Sequence, residues 1–303
     1  MILYKFVSAQ QAVNILETTT IRFTQLAALN DPFESFPQAE GFVTREFVFQ
    51  IFDLILNHET ILHNLMEQTY HRMYDALPPE QKNLFDFEGY KAVVKNIIDV
   101  ELTKRGTDFP NLVRSLFESN TDYLVGTIKQ SVINSIANNI CVLSLSTART
   151  NPLMWSHYAD SHRGLAIGFD SENQFFSKAL RVQYRAERPR VNLFPIPETE
   201  PEKLRLAESI LATKNISWHY EEEYRLINTT TLLKDSHTID SGGHEVLVRA
   251  FPIESVQDLI FGCNIQEDSQ NSLSEIVRNK FSTASLNQAV LDTKNFQISF
   301  KRL

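Results

Sequence analysis

The sequence predicts an α+β fold carrying a large helical insertion, and three observations support that prediction. Strand-like runs occur near both ends of the chain, apolar residues recur at helical spacing between about residues 45 and 139, and the pattern turns back towards strand at Cys141. Strands at both ends with helices between them fit one α+β domain with an insertion better than two consecutive domains. At 303 residues and 43% hydrophobic, with 21 Phe, the chain has ample material for an aromatic-rich core.

Ile2 to Val7 reads as the first strand, and Ser8 caps a helix from about Ala9 to Glu17 whose apolar face is Ala12, Val13, Ile15 and Leu16. Ile21 to Phe23 is a second strand. Asn30-Asp31-Pro32-Phe33-Glu34 is a turn signal, because Asx side chains and proline both favour chain reversal. Asn30 and Asp31 either bind local backbone there or form the polar lip of a pocket. From about Arg45 to Asn139, apolar groups such as Phe47, Ile51, Leu54 and Ile55 predict four or five helices, punctuated by Pro78-Pro79 and residues 106–110. These helices read as an inserted layer or lid and carry no chemical motif.

Cys141 to Ser146 returns to strand. The next stretch, Asn151 to Asp170, packs Trp155, Tyr158, His157, His162, two Asp and Arg163 into twenty residues, a concentration that resembles a pocket wall. Asn-Pro disfavours helix at Asn151 and opens one after it, so Leu153 to Ser161 reads as a short helix and Leu165 to Phe169 as a strand. Gly164, at the turn between them, permits positive φ or the close approach of another backbone or ligand. Leu180 to Tyr184 is a further strand, Glu187 to Pro201 a loop, and a helix runs from near Pro201 to Lys214. Strands at Val246 to Arg249 and Leu259 to Phe261, a helix from Ser269 to Phe281, and strands near Ala289 to Leu291 and Gln297 to Lys301 complete the chain.

With 29 basic and 37 acidic residues the net charge is −8, which gives no global attraction for nucleic acid or an anionic membrane and leaves room only for a local basic patch. Cys141 and Cys263 lie in apolar surroundings without CxxC spacing, as buried thiols of a reducing compartment do. Met1 to Phe6 turns polar too quickly for a signal peptide, and no apolar run approaches the ~20 residues that span a bilayer. The expected location is cytoplasmic.

Glu221, Glu223 and Arg225 alternate, so a strand would present all three on one face. A carboxylate beside a guanidinium stays ionised, whereas two adjacent carboxylates push one pKa up towards that of a general base. The plainer reading is a solvated edge strand with an ion pair. Ser144 and Ser146 alternate likewise and suit a ribose or phosphate. His157 and His162 stand five apart, on different helix faces, so no metal is expected. Gly-rich phosphate cradles and the GxSxG elbow are absent.

Tyr4-Lys5-Phe6, Leu29-Asn30-Asp31-Pro32-Phe33-Glu34, Ser144 to Ser146, Pro152 to Ala159, His162-Arg163-Gly164, Lys214 and Trp218 to Arg225 together resemble the bacterial family catalogued as domain of unknown function 2971. The order of parts also resembles the ADP-ribosyltransferase fold. That resemblance implies a split mixed β-sheet holding NAD as substrate, with Tyr4 or Lys5 where the fold has a His or Arg, stacking by Tyr158 or Trp155, and Glu223 as the late carboxylate.

The leading expectation is therefore an enzyme acting on NAD or a related nucleotide, by ADP-ribosyl transfer to a protein or nucleic-acid acceptor or by glycosidic hydrolysis. Glu223, Glu221 and His157 are its candidate catalytic residues. Tyr4, Lys5, Asn30, Asp31, Ser144, Ser146, Trp155, Tyr158, Arg163, Trp218 and Arg225 are its candidate binding residues. The alternatives are a non-catalytic module that binds a nucleotide or other anionic ligand, and a metal- or His-dependent nuclease. A toxin or phage-defence role rests on analogy with the family alone.

Overall fold

Why the chain turns where it does is visible from its first helix. β1 (Ile2–Val7) delivers Ser8 to the start of α1 (Ala9–Thr18), where its hydroxyl accepts from Gln11 N at 3.3 Å while Gln11 Oε1 accepts from Ser8 N at 3.1 Å. This reciprocal cap satisfies two otherwise orphaned donors. Thr19 in the left-handed region ends the helix and β2 (Thr20–Gln25) follows. The computed structural model describes residues 1–31, 33, 44–190, 198–239, 243 and 245–303.

The chain forms two compact units, one of them falling within Glu40–Ser131. The helices of the predicted insertion are α2 (Arg45–Asn57), α3 (Glu59–Asp75), α4 (Pro79–Lys82), α5 (Phe87–Arg105), α6 (Phe109–Ser119) and α7 (Thr121–Asn139). Six helices stand where four or five were expected, because the residues after Pro78 form a single turn of their own. Asp86 caps α5 through Gly89 N, and Gly106 closes it at φ 63°. Among the described residues no helix is long and apolar enough to cross a membrane.

The other unit is a large mixed sheet. After α7 come β3 (Ile140–Ser146), α8 (Pro152–Tyr158), β4 (Leu165–Asp170), β5 (Leu180–Arg181), β6 (Gln183–Arg185), α9 (Glu200–Leu211), β7 (Thr213–Asn215), β8 (Glu223–Thr229), β9 (Lys234–Ile239), β10 (Glu245–Ala250), β11 (Val256–Phe261), α10 (Glu267–Lys280), β12 (Ser285–Leu291) and β13 (Ile298–Arg302). The sheet runs β13-β12-β11-β4-β1-β3-β2-β10-β9, with β8 and β5 branching from β3, and β6 pairs with β7 apart from it. Among the described residues only β11 with β12, and β6 with β7, are parallel pairs. The fold is thus α+β around a mixed sheet.

Alternation along the strands divides two hydrophobic layers. Leu3, Leu143, Leu145, Ile167 and Phe169 pack with Leu16 of α1 and Leu273 and Val277 of α10. Tyr4, Phe6, Ala166 and Ile260 pack on the opposite face with Met154 and Trp155 of α8.

Three sequence expectations change. Leu180 to Tyr184 is not one strand: Val182 N donates to Glu223 O and Gln183 N to Ala212 O, so the chain leaves β8 and pairs with β7. The helix expected to reach Lys214 ends at Leu211, and Thr213–Asn215 becomes that partner strand. Glu221 does not share a strand with Glu223, because a 3₁₀ turn (Ile216–Glu221) and left-handed Glu222 precede β8.

Candidate functional site

β3 has three partners and two edges. β8 pairs with its whole length, from Ile140↔Thr229 to Ser146↔Glu223, so β1 and β2 must share the other edge. β1 holds one end through Tyr4↔Ser146, and β2 holds the other through Thr24↔Val142 and Gln25↔Cys141. Leu143, Ser144 and Leu145 lie between these pairings, where β1 and β2 diverge. A forked sheet leaves backbone groups at the fork without ladder partners, and something else must satisfy them. Here Lys5 Nζ donates to Ser144 O at 3.1 Å.

A pocket of about 240 Å³ opens at the fork. Tyr4, Lys5, Thr24 and Asn30 line it from the N-terminal segment, Ser144 and Ser146 from β3, Met154 and Tyr158 from α8, and Lys214, Glu221 and Glu223 from the segment ending in β8. Met154 and Tyr158 meet there because they lie four apart on one helix. Ser144 and Ser146 share a face with Arg225 and Glu223, their cross-strand partners, while Leu143, Leu145 and Leu226 serve the core behind.

The polar wall is a closed charge network. Arg225 grips Glu223 with both ends of its fork, Nε to Oε1 at 2.8 Å and Nη2 to Oε2 at 2.9 Å, and donates Nη1 to Leu211 O at 3.0 Å. Lys214 Nζ lies 3.3 Å from Glu223 Oε2 and 2.6 Å from Glu221 Oε2. Tyr158 donates to Glu221 Oε1 at 2.5 Å, and Asn30 Nδ2 donates to the Tyr158 hydroxyl at 3.4 Å. Glu221, Glu223, Lys214 and Arg225 are all buried. Two anions and two cations balance, which is what permits them to leave water.

These neighbours separate the two carboxyls. Burial alone would raise Glu223, but the charges of Arg225 and Lys214 and a hydrogen bond from Ser144 outweigh it and hold Glu223 well below the usual carboxylate range. Burial raises Glu221, with Lys214 and Tyr158 only partly opposing it. Lys5 stands apart. Burial pushes its ammonium down to about 8, and among the described residues it makes no ion pair, only the bond to the Ser144 carbonyl. The pocket therefore carries one cation more than its anions balance.

The remaining predicted site residues fall elsewhere. Trp155 is fully buried, donates Nε1 to Arg149 O at 2.7 Å and meets Phe6 edge-on at 5.2 Å; it is core, with no face left for a ligand. Arg163 is exposed and forks onto Asp160. Arg225 lies behind the pocket wall as the tether of Glu223. Trp218 is half-buried, with Lys214 Nζ 4.8 Å from its ring centre. His157 accepts or donates through Nδ1 with the Tyr220 hydroxyl at 3.0 Å and lines a neighbouring cavity that shares Lys5 and Tyr158 with the fork pocket. Asp31 Oδ1 accepts from Phe33 N at 2.8 Å, a local Asx turn, whereas Asn30 reaches the pocket; Pro32 and Glu34 of that motif lie outside the described residues.

Lys214 is the residue that sequence reasoning missed. It stands at the end of a predicted helix and is matched in the family resemblance, but is not named among the candidate site residues. The one signal was its setting, Leu211-Ala212-Thr213 before it and Ile216 after, which is unusually apolar for a lysine.

Backbone strain gathers beside the pocket. Asp160, Ser161 and His162 are consecutive non-glycine residues at φ 48°, 53° and 67°, a conformation that costs roughly 1–2 kcal/mol for each L-residue. They follow Ala159, the cap of α8, and lead to Gly164, where a Cβ would stand 2.0 Å from Val7 O of β1. Of the two roles open to that glycine, close backbone approach is the one realised. No curated protein and no solved structure matches the chain. Residues 154–226, the span from α8 to β8 that supplies Tyr158, Lys214, Glu221, Glu223 and Arg225, match the family described as Protein of unknown function (DUF2971).

Proposed function

We propose that the fork pocket binds NAD or a related nucleotide and acts at its ribosyl carbon, by hydrolysis or by transfer to an acceptor. The observation behind this reading is the pairing of a carboxylate kept ionised with an unbalanced ammonium in one pocket. Cleavage of the bond between the ribosyl carbon and nicotinamide sends the electron pair to the departing ring and leaves positive charge on the sugar. A fixed carboxylate aimed at that carbon stabilises the charge without reorganising. Glu223 suits this role because Arg225 and Lys214 hold it rigid and charged. Glu221, with its raised pKa, suits the proton of the incoming water or acceptor hydroxyl. Lys5 supplies the counter-charge for a ligand phosphate. The test is nicotinamide release from NAD by wild type and Glu223→Gln, with and without cell lysate. Release by the wild type that is lost in the folded variant supports the assignment, and equal release overturns it.

One observation favours a second reading, a binding module without turnover. Every oxygen of Glu221 and Glu223 already has a protein partner, an arrangement suited to holding a shape. This reading expects saturable binding of the nucleotide by calorimetry with no nicotinamide formed.

A further inference from the structure

Arg181 to Arg190 holds four arginines, Arg181, Arg185, Arg188 and Arg190, against one glutamate, on a chain of net charge −8. All four are exposed, and among the described residues none meets a carboxylate at ion-pair distance. Arg185 donates only to Gln183 Oε1, at 3.0 Å. Exposed arginines are ordinary singly, but an acidic protein that gathers four of them with one acid between is maintaining a local positive field.

Two of the four, Arg185 and Arg188, line a concavity. A second pocket, of about 220 Å³, has Phe33, Arg185, Arg188, Lys214 and Asn215 in its lining, with Glu187 as the one acid among them. Lys214 is thus a wall common to this pocket and the fork. Phe33 is 62% exposed, and the Arg188 guanidinium lies over its ring, 4.7 Å from the centroid. Two flat groups stacked at the lip of a basic hollow offer a face to a planar base and charges to the phosphates on either side of it.

We propose that this surface binds single-stranded nucleic acid, with Phe33 and Arg188 stacking on a base and Arg185 and the arginines flanking it tracking the backbone. An acidic peptide has no use for the exposed ring. A membrane surface cannot enter a hollow. A duplex keeps its bases stacked on one another. Phe33, Arg185 and Arg188 take no part in the chemistry assigned to the fork pocket, so the proposal stands whether or not NAD is the ligand there.

The experiment is fluorescence anisotropy of a labelled single-stranded oligonucleotide of about 20 nucleotides, longer than the ~4–16 nucleotides such surfaces usually cover, titrated with the full chain across a salt series. Wild type is expected to bind with strong salt dependence. Arg185→Ala/Arg188→Ala is expected to make the negative slope of log affinity against log salt shallower by about 1.4, roughly 0.7 for each phosphate that the variant leaves unneutralised. Phe33→Ala is expected to weaken binding about tenfold with the slope unchanged, the signature of a missing stacking partner. No binding at low salt, equal affinity and slope in the double variant, or binding to phosphatidylserine vesicles but not to the oligonucleotide each overturn the proposal. Nicotinamide release by the wild type is measured in parallel. Release without oligonucleotide binding overturns this surface alone, whereas binding without release supports the surface and removes the NAD reading.

Discussion

The two walls of the fork pocket are built on different principles. The wall of Lys214, Glu221, Glu223 and Arg225 is buried, charge-balanced and doubly hydrogen-bonded. The wall of β1 offers Lys5, whose ammonium reaches a carbonyl and no carboxylate among the described residues. The first wall spends its charge on itself, so its removal costs folding. The second leaves its charge for a ligand, so its removal costs binding. A site built this way keeps its shape when empty and still attracts an anion.

The sharpest way to break that contrast is to unbalance the first wall. Arg225→Ala leaves Glu223 buried with half its partners and should cost about 3–5 kcal/mol, because an unpaired interior charge keeps its desolvation penalty. Urea midpoints compared with Lys5→Met test it. Lys5→Met is expected to cost much less, because relief of a desolvated ammonium that makes no ion pair among the described residues offsets the loss of the donor to the Ser144 carbonyl. Equal losses in the two variants would show that the walls are not distinct.

Activity sharpens the contrast next. Glu223→Gln keeps the shape of the wall and removes its charge, and nicotinamide release should fall about 10²–10³-fold, the usual loss when one preorganised electrostatic group is removed. Circular dichroism and urea unfolding of the same preparation separate this from unfolding. Lys5→Met should act on affinity instead, weakening nucleotide binding by about 1.5–3 kcal/mol, the worth of a hydrogen bond to a charged group. A calorimetric affinity unchanged in Lys5→Met would remove Lys5 from the site.

How much of this was legible beforehand depends on whether a residue's neighbours are near in sequence. Ser8 and Gln11, Asn151 and Pro152, and the alternation of Cys141 to Ser146 show their roles within a few residues, and they place the strands and caps. Trp155 was expected to stack on a ligand because the resemblance to the ADP-ribosyltransferase fold implies such an aromatic. Phe6, from the far end of the chain, is what makes it core. Glu221 reached the pocket for a reason other than strand alternation: a 3₁₀ turn and left-handed Glu222 carry it there. Lys214 entered through the resemblance alone and its place in the site was not legible, because the two carboxylates it meets follow an irregular turn whose course no periodicity encodes. The fork itself arises from the register of β1, β2 and β8 on β3, which is a property of pairing and not of any one stretch.

The effect of pH is the most diagnostic, because it has opposite signs for folding and for binding. Burial lowers Lys5 from its ordinary value near 10.5 to about 8. Between those values the unfolded chain holds a proton on Lys5 that the folded chain has released, so this group makes stability rise with pH across that window. An anion in the pocket needs the proton present, so affinity falls as pH passes about 8, and binding above that pH takes a proton up. Thermal melting and nucleotide affinity measured from pH 7 to 10 in wild type and Lys5→Met isolate the lysine from every other group that titrates there. The difference between the two proteins should show a stability gain and an affinity loss over the same interval. A pair of curves that run parallel in both measurements would place the ligand's counter-charge on another residue and leave Lys5 as no more than the pin that closes the fork against the Ser144 carbonyl.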